Sequence, residues 1–212
     1  MKLFPLNPLC RLLPAVALVT FAGCSLPSAK PDPTRYYLLS APAPVAAPAA
    51  GEPAATSRAV SVGLCRIEMP VYLRSPAVVL RPGGTELRYA PEARWAEALG
   101  LGITRVLKHT LQGQPSVRAV VAYPAPQAPI PDYEVAVAVL ACEGLTSPAG
   151  HRTRFAATWE IRSTAPGAAV LAAGSFEGPP AEWAEGDYAA LTAQLGESVA
   201  ALGREIGAAL AK

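Results

Sequence analysis

Tyr133-Glu134-Val135-Ala136-Val137-Ala138-Val139-Leu140-Ala141-Cys142 is the stretch on which the fold class turns. Tyr133, Val135, Val137, Val139 and Ala141 recur at a period of two, the signature of a strand. The opposite face, Ala136, Ala138, Leu140 and Cys142, is apolar as well, which predicts a central strand covered on both sides. Ala149-Gly150 then supplies a turn. Thr153 to Arg162 repeats the alternation with Phe155, Ala157, Trp159 and Ile161, so the two runs form a hairpin. Ala168 to Phe176 adds a third antiparallel strand, which Gly178-Pro179-Pro180 stops.

Upstream of this hairpin, Pro124 to Pro131 holds four prolines and reads as a loop, and Val117 to Tyr123 as a strand. Pro91 suits the first turn of a helix, where its missing N–H costs nothing. Trp95, Leu99, Ile103, Val106 and Thr110 follow at spacings of three and four, one apolar stripe ending near Gln112 with Gly113 as the C-cap. Gly100 and Gly102 weaken that helix by ~1 kcal/mol each relative to Ala, which predicts a bend or a close contact. Ala77 to Arg81 and Thr85 to Ala90 read as a hairpin over Pro82-Gly83-Gly84. Val60 to Ile67 alternates as a half-buried strand, and Met69 to Leu73 ends it in an extended turn at Pro70. Thr34 to Leu39 is a strand, and Ala41 to Ser57, almost all Ala, Pro and Gly, is an exposed loop. At the C-terminal end Asp187 caps a helix whose stripe is Leu191, Leu195, Val199, Leu202, Ile206 and Leu210. The class is α+β, a mostly antiparallel sheet with two amphipathic helices packed on it.

The chain begins with a charged segment (Lys2, Arg11), an apolar run from Leu12 to Phe21, and Ala22-Gly23 before Cys24. The run is about half of the ~20 residues a membrane span needs, so it reads as a secretory signal. Phe21-Ala22-Gly23-Cys24 is similar to the bacterial lipobox, in which small residues admit a peptidase and the cysteine thiol is acylated. The predicted organisation is a signal peptide over 1–23, a lipidated tether over 24–33 and one periplasmic domain over 34–212. Ser25, where retained inner-membrane lipoproteins often carry Asp, points to the periplasmic face of the outer membrane of a Gram-negative bacterium.

The chain carries 18 basic and 16 acidic residues. Loss of Lys2 and Arg11 with the leader leaves a neutral protein, which argues against nucleic acid as a partner. Cys10 leaves with the leader and Cys24 takes the lipid, so Cys65 and Cys142 remain in an oxidising compartment. They are either a disulfide pair or two small core residues. No catalytic, metal or cofactor motif is present: His109 and His151 have no Cys or carboxylate at ligand spacing, and G-x-S-x-G, H-E-x-x-H and P-loop patterns are absent. Glu97 falls off the helix stripe and reads as solvated. The composition points to a binding or scaffold protein.

Tyr36-Tyr37-Leu38-Leu39, Val62-Gly63, Pro70-Val71-Tyr72-Leu73, Arg74-Ser75-Pro76, Arg94-Trp95-Ala96-Glu97-Ala98-Leu99 and Arg105-Val106-Leu107 occur in the order and spacing of a known family. The chain resembles the ABC-type transport auxiliary lipoproteins of the PqiC (YmbA) type from about Arg35 to Leu210. It departs from their pattern at Arg74-Ser75, where Asp-Arg is common, and at Ala98, where proline is common. The resemblance implies a non-enzymatic outer-membrane lipoprotein that works with an MCE-domain protein and an ABC or integral-membrane permease to move lipid between membranes. It also implies a docking role, a ring-shaped homo-oligomer, and partner contacts at Tyr72, Leu73, Arg74 and Trp95. The alternative is a structural or assembly lipoprotein of another envelope complex.

Overall fold

The computed structural model describes residues 31–40, 59–125, 129–167 and 169–211. The leader, Cys24, the start of the tether and the Ala41–Ser57 loop lie outside the described residues. The spine is the antiparallel hairpin of β6 (Tyr133–Ser147) and β7 (Gly150–Ser163), in register from Tyr133↔Ser163 to Ser147↔Gly150. β8 (Val170–Glu177) continues it antiparallel beyond β7.

The other edge of β6 is filled by two strands. β2 (Val60–Cys65) runs parallel at Val62↔Tyr133 to Leu64↔Val135, and β3 (Ala77–Gly83) parallel at Leu80↔Gly144 and Arg81↔Leu145. Outside them lie β5 (Val117–Tyr123), parallel to β2, and β4 (Glu86–Trp95), antiparallel to β3, with β1 (Arg35–Tyr37) parallel to β4. The α+β class holds, but the sheet is mixed. Residue alternation looks the same whichever way a neighbour runs, so the parallel pairings left no trace in the pattern.

Helices α1 (Leu99–Gln112) and α2 (Tyr188–Leu210) pack on each other, α1 also against β5 and α2 against β7. The whole α2 stripe is buried, and the Asp187 carboxylate accepts from the Ala190 N–H at 3.0 Å as the expected cap. Gly196 of α2 touches chain: a Cβ there would lie 2.3 Å from the Ser40 carbonyl oxygen. The close contact expected of Gly100 and Gly102 is also present, with Met69 Cε at 3.0 Å and Leu39 Cδ1 at 3.4 Å from their absent Cβ positions.

Four expectations need correction. First, Pro91 and Trp95 belong to β4, because Ala93 to Trp95 pair with β1, and the helix starts at Leu99. Pro91 falls where the β3–β4 register is interrupted, so its missing N–H breaks no pairing of β4 with β3. Second, the second face of β6 is open: Val135, Val137 and Val139 are buried, whereas Leu140 is 53% exposed. Leu140 is the extra residue of a bulge between Val139↔Ala157 and Ala141↔Ala156, and beyond it Cys142 turns to the core against Phe155. Third, Pro70 leads into a 3₁₀ turn rather than an extended one. Fourth, Cys65 and Cys142 are free thiols. Leu64 pairs with Val135, so Cys65 lies beside Ala136, six residues along β6 from Cys142. At ~3.3 Å per residue that is about 20 Å, against the ~7 Å limit for Cα atoms of a bridge.

Candidate functional site

The family-like turn is built on the β6 edge. After β2 the chain stays on that edge: the Glu68 N–H donates to the Val137 carbonyl at 3.1 Å, and the Val139 N–H to the Glu68 carbonyl at 2.8 Å. Pro70 then starts the 3₁₀ turn Val71–Arg74, whose Leu73 N–H donates back to the Pro70 carbonyl at 3.1 Å. The turn occupies the gap between β2 and β3, opposite the bulge. The Tyr72 hydroxyl donates to the Leu140 carbonyl at 3.2 Å, and so locks turn to bulge.

Beneath Tyr72 lies Glu143, fully buried on the face away from the helices. Arg81 of β3 grips its carboxylate with both arms, Nε to Oε1 at 2.6 Å and Nη2 to Oε2 at 3.2 Å. Arg154, its cross-strand partner on β7, sits 3.5 Å from Oε1, and the Tyr72 hydroxyl lies 3.4 Å from Oε2. A buried carboxylate is tolerated only when paired and hydrogen-bonded, and the forked guanidinium does both. The hydrogen bond to Glu143 holds the Arg81 pKa above its ordinary value. Burial, and then the Glu143 charge, raise that of Tyr72, so the phenol stays protonated and able to donate. The knot fastens β3, β6, β7 and the turn into one rigid unit.

The expected contact residues divide. Tyr72, Leu73 and Arg74 share the turn, but Leu73 is 1% exposed and belongs to the core. Trp95 is 6% exposed and shares the hydrophobic core with Leu73, and its backbone N–H donates to the carbonyl of Pro76, just after the turn, at 2.7 Å. Leu73 and Trp95 therefore set the turn in place, while Val71, Arg74 and part of Tyr72 face outward. Glu97 is not simply solvated: Arg105 Nη2 donates to its Oε1 at 2.7 Å and to the Leu39 carbonyl at 3.0 Å. This joins the two ends of the helix motif to the chain after β1.

Glu143, Arg81 and Arg154 were absent from the sequence reading. The hairpin register supplies the link: with Pro148-Ala149 as the turn, Ser147 pairs with Gly150 and Glu143 falls opposite Arg154. Among the described residues no three His, Cys, Asp or Glu side chains gather as a metal site, and no helix is long and apolar enough to cross a membrane. Two hollows flank the turn. A groove of about 550 Å³ runs over Ala138 and Leu140 on the open face, and a cleft of about 280 Å³ lies between the turn and the start of α1.

No curated protein matches the chain at a significant level. Two crystal structures share the fold. One, a Xanthomonas campestris protein of the family DUF330, superposes with TM-score 0.61 at 16% identity, over 70% of this chain and 82% of that one. The other, an uncharacterized protein, gives TM-score 0.58 at 17% identity, over 70% and 90%. The profile described as ABC-type transport auxiliary lipoprotein component matches residues 37–207, from the end of β1 almost to the end of α2. The chain belongs to this family of ABC-type transport auxiliary lipoproteins.

Proposed function

We propose that the chain is the lipid-anchored, non-catalytic member of an ABC/MCE-type system that moves lipid between the bacterial membranes. It acts there as a docking or assembly factor. The family match over residues 37–207 carries this reading. The locked turn supports it, since a scaffold needs a rigid surface rather than a reactive cleft. In this reading residues 1–23 are removed, Cys24 carries the acyl chains, and residues 24–33 tether a domain starting at 34 to the periplasmic face of the outer membrane. One acyl chain anchors only marginally, so the firm hold comes from the two or three chains of a mature lipoprotein. Arg74 and the outward part of Tyr72 face the MCE-domain protein, and copies of the domain assemble side by side in a ring.

Cross-linking in native membranes, followed by affinity isolation of the acylated chain and mass spectrometry, tests the proposal. The expected result is enrichment of an MCE-domain protein in the outer-membrane fraction, lost in Cys24→Ala. Isolation of a different envelope complex without an MCE protein would hand the chain to that complex.

A further inference from the structure

The cleft between the turn and α1 brings two arginines without a carboxylate partner to one apolar hollow, whereas Arg35, Arg94 and Arg204, which also meet none among the described residues, do not line it. Arg81, Arg88, Arg105, Arg118, Arg152, Arg154 and Arg162 each meet a carboxylate. Arg66 and Arg74, which both line the cleft, meet none among the described residues. Glu68 shares the neighbouring grooves with these arginines, without an ion pair to either, and does not line this cleft. The remaining wall is mostly apolar, with Ile67, Met69 and Leu99 and with Leu101 63% exposed at the rim; the Thr104 hydroxyl, also in the lining, already donates to the Gly100 carbonyl at 2.7 Å.

Two unpaired cations over an apolar floor are complementary to an apolar side chain flanked by carboxylates. At about 280 Å³ the cleft is smaller than the ~300–1,000 Å³ of pockets that engulf small ligands, and it has room for one or two side chains. An acyl chain with its headgroup needs more. A buried apolar anchor ringed by charge pairs is how protein segments dock.

We propose that this cleft receives an acidic segment of the partner protein, one aliphatic or aromatic side chain seated between Met69 and Leu101 and its neighbouring carboxylates on Arg66 and Arg74. The inference rests on the proposed function and names the chemistry by which the MCE-domain partner is held.

The test uses the full-length acylated chain in detergent, titrated calorimetrically with the purified soluble domain of its MCE-domain partner. Arg66→Glu with Arg74→Glu weakens binding about 100-fold, two tenfold losses of ~1.4 kcal/mol each. It also removes the salt dependence of the wild-type affinity. Leu101→Asp weakens binding with both arginines in place, and Arg204→Glu, an exposed arginine on α2, leaves it unchanged. Circular dichroism checks that all variants are folded. Binding by the wild type that the double reversal alters less than twofold overturns the cleft assignment and leaves the proposed function standing. No binding by the wild type overturns both. Arginine-dependent sedimentation with phosphatidylglycerol vesicles, in place of the protein domain, assigns the cleft to a membrane surface and overturns the peptide reading.

Discussion

Replacing Arg81 with Met keeps the aliphatic stem and removes the fork that holds Glu143. The carboxylate then keeps Arg154 at 3.5 Å and the Tyr72 hydroxyl at 3.4 Å, neither with ideal geometry, in a site with no solvent exposure. Removing one partner of a buried pair costs ~3–5 kcal/mol, because the other charge stays buried. The Arg81 side chain is itself 21% exposed, so a value near the lower limit, about 3 kcal/mol, applies. Arg154 is 43% exposed and makes a single long contact, so Arg154→Met costs at most ~1 kcal/mol. Glu143→Leu falls between them, since both arginines left behind can turn toward water. Urea unfolding of residues 34–212 measures all three. At ~2–4 °C per kcal/mol for a domain of this size, Arg81→Met also lowers Tm by roughly 6–12 °C. Equal losses for Arg81→Met and Arg154→Met, or less than ~1 kcal/mol for the first, would refute the claim that a buried fork locks the turn.

Two further outcomes follow from burial and close approach. Burial pushes the Cys142 thiol up to about 12, so its thiolate is scarce until the pH approaches that value; at pH 8 a disulfide reagent labels it only on unfolding. Cys65, half-buried with a pKa raised by burial and by Glu134, labels slowly in the folded state. Rapid labelling of Cys142, or a bridged mass without reductant, contradicts this. Gly196→Ala drives a methyl into the Ser40 carbonyl and lowers stability by ~1–3 kcal/mol. Gly100→Ala meets only the movable end of Met69 and gains up to ~1 kcal/mol of helix propensity. A thermal melt in which Gly196→Ala is neutral or stabilising would show that α2 does not pack on backbone at Ser40, and a destabilising Gly100→Ala that Met69 does not move aside.

The elements most readable from sequence were those whose signal is local. The α2 stripe and its Asp187 cap, the β6–β7 hairpin and Val117–Tyr123 all follow from periodicity and turn chemistry. What was hidden depends on partners far along the chain. Pro91 reads as a helix start until β1 pairs with Ala93–Trp95, and pairing outweighs a positional preference. Trp95 has helix spacing to Leu99 by coincidence. The second face of β6 looked covered because Ala and Leu are apolar, yet among the described residues Ala136 and Leu140 are exposed, and one bulge residue reverses which side chains point inward. At the site, Tyr72 and Arg74 were reached through the resemblance. Glu143 was missed because a lone acid in an apolar strand carries no periodic signal, and only the cross-strand register links it to Arg154.

The central claim is participation in lipid movement between membranes, and labelled phospholipid exchange between the inner and outer membranes of living cells tests it most directly. Strains lacking this lipoprotein, lacking the permease, and lacking both are compared. The account predicts the same reduction in all three, since the proteins act in one machine, with restoration by the wild-type gene but not by Cys24→Ala. Normal exchange without the lipoprotein, in cells where loss of the permease abolishes it, would contradict the account.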